Sequence, residues 1–148
     1  MKNATVSKII PVGEQIYENI LKLDFSKIKK CAVDKGFYTN EEIEFVEAEY
    51  KKYLAICFTF PELSFPTPLK IDNLWHQYIL FTQDYADMCQ SVAGRFLHHS
   101  PFVDKEESVS LDSEVLHQKY IMMFNETPSE IWSVNGLCSP NPNCEGKS

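Results

Sequence analysis

Between Thr39 and Phe58 apolar residues recur every three or four positions: Ile43, Val46, Tyr50, Tyr53, Leu54, Cys57 and Phe58. A helix with 3.6 residues per turn gathers them onto one stripe, and such a segment is stable only when that stripe is pressed into a core. Thr39 stands three residues before Glu42, the spacing at which each side chain satisfies the other's backbone N–H at a helix start. Pro61, Pro66 and Pro68 close the helix, because each lacks a backbone donor and biases its predecessor toward extended conformations.

The same reading places short helices over Gly13 to Leu23 and Ser26 to Lys35, with Gly36 as a C-terminal stop. Pro11 and Gly13 interrupt the pattern upstream. A long helix is expected from Ile71 to Ala93, ended by Gly94, with Ile71, Leu74, Trp75, Tyr78, Thr82, Tyr85, Ala86 and Cys89 on its apolar face. Leu111 to Phe124 makes a further helix packed through Val115, Met122 and Met123, and Pro128 limits its continuation. No alternating strand pattern of useful length and no internal repeat occurs. The fold class is therefore all-α, a single irregular helical bundle of about five helices. The helical domain is assigned to residues 1–132, and the Ser, Asn, Pro and Cys-rich stretch 133–148 reads as a mobile C-terminal tail.

Fourteen Lys plus Arg against twenty-one Asp plus Glu give a net charge of -7, which repels phosphate backbones and anionic lipid. Lys27, Lys29, Lys30 and Lys35 form the one local basic group, and without interleaved aromatic residues it reads as a solvated helix face. Nucleic acid is not an expected partner. No apolar run approaches the roughly 18 to 20 residues that cross a bilayer, so no membrane association is expected either. The opening MKNATVSKIIPVGEQ has no secretory pattern, and a cytoplasmic location is the expectation. Five cysteines, an odd number, fit reduced thiols in that compartment. Cys31, Cys57 and Cys89 fall within helical patterns as small core residues, whereas Cys138 and Cys144 lie in the tail, where a redox pair or a metal clip are the alternatives.

The stretch EYKKYLAICFTFPELSFPTPLKIDNLWHQYILFTQDYADMC, followed by GRFLHHSP, resembles the glycine-rich domain-containing protein-like family. The likeness rests on an Asp-x-x-Trp-His helix start, a later Tyr and Cys, and a closing His-x-Pro, here Asp72, Trp75, His76, Tyr85, Cys89, His99 and Pro101, within residues 49–102. It implies a domain without an assigned activity. The chain departs from the family's name, having only five glycines, with Gly136 and Gly146 beside Cys138 and Cys144 in the tail.

Chemistry concentrates between Asp72 and Pro101. Imidazole is the commonest metal ligand, so His76, His98 and His99 raise a transition metal such as zinc or iron, with Asp72 one turn before His76 as an outer partner or a helix cap. On one continuous helix His76 and Cys89 lie about 20 Å and about 140° apart and cannot share an ion. His98 and His99 follow Gly94, itself about 27 Å along that helix from His76. They reach His76 only if the chain doubles straight back or the helix is broken midway. Cys89 on the apolar stripe is poorly placed as a nucleophile, which needs an exposed and activated thiol. His117 stands without a partner at ligand spacing, and the carboxylate groups Glu41, Glu42, Glu44, Glu47 and Glu49, and Asp104, Glu106 and Glu107, read as solvated surface.

Two functional readings result. One is a protein-interaction module whose binding hub is Asp72, Trp75, His76, Tyr85, Cys89 and Pro101. The other is a metal-binding protein or metal-dependent enzyme using His76, His98 and His99. The sequence assigns neither a reaction nor an oligomeric state.

Overall fold

The computed structural model describes the backbone of residues 4–99 and 106–133, and the side chains of residues 13–99 and 112–133. These residues form six α-helices: α1 (Ala4–Leu21), α2 (Ser26–Asp34), α3 (Asn40–Thr59), α4 (Leu69–Leu80), α5 (Thr82–Ala93) and α6 (Glu106–Phe124). A single 3-10 turn follows over Glu130–Trp132. No strand occurs among the described residues, as the all-α reading requires. The tail with Cys138 and Cys144, and Pro101, lie outside the described residues.

Helix α3 is the centre of the packing and touches α1, α2, α4 and α6. Its start is the expected capping box: Glu42 N–H donates to Thr39 Oγ1 and Thr39 N–H donates to the Glu42 carboxylate, each at 3.1 Å. The expected stripe is buried, and from Tyr53 to Phe58 every residue is, so this half of the helix is covered on all sides. That is the position of a helix surrounded by its neighbours.

Helix α1 runs through Pro11 instead of beginning near Gly13. Proline in a helix interior costs about 3 kcal/mol, which is why its local sequence favours a break there. The helix as a whole packs along α3, with smaller contacts to α5 and α6. Gly13 lies at a close approach, where an added Cβ would stand 3.2 Å from Met123 Cε and 3.4 Å from Thr59 Oγ1.

The largest departure lies at Phe81. The helix expected over 71–93 is two, because Phe81 leaves the helical region with ψ 72° and caps both α4 and α5. Neither proline nor glycine signals this break. On a straight helix Trp75 and Tyr85 would sit about 15 Å apart along the axis. Across the break Trp75 Nε1–H donates to Tyr85 Oη at 2.9 Å, a buried bond that only the folded-back arrangement permits. Thr82, expected on the apolar face, is exposed as a result.

Among the described residues of α6 the buried ones are Ser113, Leu116 and Tyr120, none of them in the expected set. Met122 is exposed, and Val115 and Met123 are half-buried. Beyond α6 the chain turns at Asn125, which has a positive φ of 55°, and brings back Trp132 as a fully buried plug. Its indole rests on Tyr120 and Tyr53, with ring centres 4.8 and 5.9 Å away. Its Nε1–H donates to Glu49 Oε1 at 2.5 Å, and its carbonyl is bonded to His117 Nε2. Glu49 is therefore a buried anchor, 5% exposed, and not part of a solvated acidic face. His117, which had no visible partner in sequence, holds the same plug. The basic group of α2 is tied to carboxylates, Lys27 to Asp84, Lys29 to Glu44 and Glu47, and Lys30 to Asp34, which leaves little positive field.

Removing the cap alone is the cleanest test of how α3 begins. Thr39→Ala is expected to lower the unfolding free energy by about 1 kcal/mol in urea titrations, with the far-ultraviolet dichroism of the native state unchanged.

Candidate functional site

Helix α4 starts directly after Pro68, and its first turn carries Asp72. Tyr38 fixes this turn, since its hydroxyl accepts from Leu74 N–H at 3.0 Å and donates to the Lys70 carbonyl. One turn further on, Trp75 points into the core and His76 out of it. Trp75 is 4% exposed overall, whereas the His76 side chain is 53% exposed.

The third contributor arrives from the other end of the helical pair. Gly94 adopts the left-handed conformation, φ 74°, that ends α5 and turns the chain back toward α4. Two side chains of α5 then grip one residue of the returning segment. Tyr85 Oη–H donates to the Leu97 carbonyl at 2.7 Å, and Leu97 N–H donates to Cys89 Sγ at 3.4 Å. Both backbone groups of Leu97 are thereby satisfied by side chains of α5.

Held in this way, His99 lies across the face of Trp75, with ring centres 4.0 Å apart and planes at 31°. Its Nε2 is 2.7 Å from Asp72 Oδ1. His76 sits on its far side at 4.6 Å between ring centres, with its own Nε2 3.8 Å from the same carboxylate oxygen. One ligand-type atom from each of Asp72, His76 and His99 falls within 4.8 Å of the others. The side chains of Asp72 and His99 are largely covered, 17% and 12% exposed, so the cluster opens to solvent on the His76 side.

His98 does not join the cluster. It is exposed and stacks edge-on against Phe96, 4.7 Å between ring centres, and Phe96 in turn covers Tyr85. Consecutive residues of an extended segment face opposite ways, so the turn that brings in His99 carries His98 outward. Asp72 moves the other way: expected as an outer partner, it has the shortest contact in the cluster. Tyr85 and Cys89 are interior residues that position the returning chain. Burial pushes the Cys89 thiol up from its ordinary range, outweighing the Leu97 N–H bond that lowers it, and burial likewise raises the Tyr85 hydroxyl. A thiol held protonated is neither an activated nucleophile nor a ready metal ligand.

Sequence reasoning missed Leu97. Its side chain is unremarkable, and its role is carried by backbone atoms. The one signal was indirect, a Tyr and a Cys four apart on the inner face of a helix that ends in Gly.

The fold and the cluster together define a small all-α domain with an Asp-His-His group at the junction of a broken helix and the segment that returns over it. The chain belongs to the UCP032817-like family, whose model matches residues 17–128, beyond the 49–102 stretch on both sides. That family's name assigns no activity. No curated protein and no solved structure matches the chain. No helix among the described residues is long and apolar enough to cross a membrane.

Tyr85→Phe keeps the ring but leaves the buried Trp75 N–H and the Leu97 carbonyl without their common partner. A loss of about 1–3 kcal/mol in urea unfolding is expected. A variant as stable as the parent would show that the hydroxyl does not pin the returning chain.

Burial also pushes the Cys57 thiol up to about 12. Both thiols therefore keep their protons in the folded state while the unfolded chain loses them near about 8.5. Their contribution is complete below that pH and declines as pH rises toward the folded values. Urea midpoints are expected to fall above about pH 8.5, and less steeply in a Cys57→Ala, Cys89→Ala double variant.

Proposed function

We propose that this domain binds a divalent transition-metal ion through Asp72, His76 and His99. The observation that carries the reading is the convergence of two imidazoles and a carboxylate, from α4 and from the segment after α5, to within 4.8 Å. Such donors suit zinc, iron and their neighbours in the first transition row. Trp75 fixes the plane of the His99 ring, and Tyr85 and Cys89 hold the segment that delivers it. His76 supplies the adjustable ligand, since its half-exposed side chain can close the 3.8 Å gap to Asp72 by rotation. His98, part of the sequence-based ligand set, is left out.

The alternative of a docking hub for a protein partner has less support. Trp75, Tyr85 and Cys89 are buried and Asp72 is largely covered, which leaves His76 as the reachable part of the hub among the described residues. In the metal reading every one of these residues has a task. The glycine-rich name belongs to the resemblance, and nothing in the proposal depends on it.

Ion binding must displace the hydrogen bond between His99 Nε2 and Asp72 Oδ1, because a ring nitrogen that carries a proton cannot coordinate. Coordination through Nε2 takes the neutral imidazole with its remaining proton on Nδ1. Untagged protein reconstituted with excess metal and dialysed is expected to retain about one equivalent by elemental analysis. His76→Ala and His99→Ala should each weaken retention at least about tenfold, with native dichroism preserved. Retention below about a tenth of an equivalent for all first-row ions tried would sink the proposal.

A further inference from the structure

We infer that a second site, apart from the Asp72, His76 and His99 cluster, lies between α2 and α5 and takes a small organic ammonium ion with an apolar body. Both helices pack on α4, and an open cavity of about 330 Å³ is left between them. That volume falls at the lower end of the range, roughly 300–1,000 Å³, that small-molecule sites occupy. Nothing in this inference depends on the metal reading.

The cavity has an apolar wall and an acidic rim. Ile28, Tyr78 and Met88 are buried residues and make the wall. Asp24, Lys27, Asp84 and Asp87 are exposed and stand around it. Three carboxylates against one ammonium leave two negative charges uncompensated at this rim, so an anion is repelled and a cation drawn in. Lys27 Nζ is paired with Asp84 at 2.6 Å and lies 5.0 Å over the Phe81 ring. Asp24 and Asp87 have no ion pair among the described residues; Oδ1 of Asp24 accepts from Ser26, and Oδ1 of Asp87 from Gln83.

Acidic residues on a surface are commonplace, and the second observation is the Tyr78 hydroxyl. Tyr78 is 7% exposed, with its ring packed edge-on against Phe25 and Tyr85. It lines the cavity, yet its hydroxyl has no hydrogen-bond partner among the described residues. Burial, and after it the charge of Asp84, push this hydroxyl up from its ordinary range, so it keeps its proton. A covered hydroxyl without a partner is unfavourable, and its oxygen is free to accept from an ammonium N–H. Wall and rim then divide the ligand: an ammonium at Asp84, Asp87 and Tyr78, and an apolar body over Ile28 and Met88. A bare calcium ion asks for six to eight oxygens and gains nothing from the wall. Lys27 already acts as such an ammonium at Asp84, so it competes with the ligand.

Phenethylamine titrated into the untagged full chain at low ionic strength tests this, read by the methionine methyl resonances. The expected result is a saturable shift at Met88, with phenethyl alcohol, the uncharged analogue, at least about tenfold weaker. Asp87→Asn is expected to weaken the amine about tenfold, and Lys27→Gln to tighten it at least about threefold by removing the competitor. Both positions are exposed, and native dichroism checks that the fold is kept. Equal binding of amine and alcohol would reduce the cavity to an apolar cleft and overturn the inference. So would the absence of a Met88 shift at millimolar amine, an unchanged affinity in Lys27→Gln, or a Met88 shift that calcium chloride reproduces.

Discussion

Everything at the candidate site depends on a short relay of hydrogen bonds: Trp75 Nε1–H to Tyr85 Oη, Tyr85 Oη–H to the Leu97 carbonyl, and Leu97 N–H to Cys89 Sγ. Each bond contributes only about 1 kcal/mol net, but leaving a buried member unpaired costs more than making the bond gains. The relay is therefore closed or badly strained, with little between. Closed, it fixes the angle between α4 and α5 and lays the chain after Gly94 over the tryptophan. His99 has one place to go, between Trp75 and His76 and against Asp72.

Behind the relay stands a second aromatic layer. Tyr53 of the buried half of α3 packs on Trp75 at 5.6 Å, and Trp132 packs on Tyr53 at 5.9 Å. The C-terminal plug and the candidate site are thus backed onto the same ring. Glu49 anchors that plug with a carboxylate inside the core, compensated by Trp132, by Tyr120 at 3.5 Å and by Lys52 at 3.6 Å. A buried charge persists only where such partners converge, because its desolvation is otherwise too costly. This packed interior backs the polar cluster of Asp72, His76 and His99 near the surface.

Much of this was legible residue by residue. The capping box of Thr39 and Glu42, the stripe from Ile43 to Phe58, and the stop at Gly94 are local signals, and each appears where its spacing placed it. The departures share a cause. Pro11 lies within α1, which packs along α3, Glu49 leaves the surface because Trp132 reaches it from 83 residues away, and α6 packs against α3 and α1. None of these contacts leaves a mark at the position it changes.

The sequence by itself determined the helical class, the main helix starts and stops, and the residue types available between Asp72 and His99, because capping, periodicity and proline act over a few residues. The tertiary structure alone decided that the helix breaks at Phe81 and that His99, not its neighbour His98, meets Asp72 and His76. The reason is physical: no proline or glycine near Phe81 marks a break in the local sequence. A bond between Trp75 and Tyr85, ten residues apart, selects the broken form only once both rings lie in the same core.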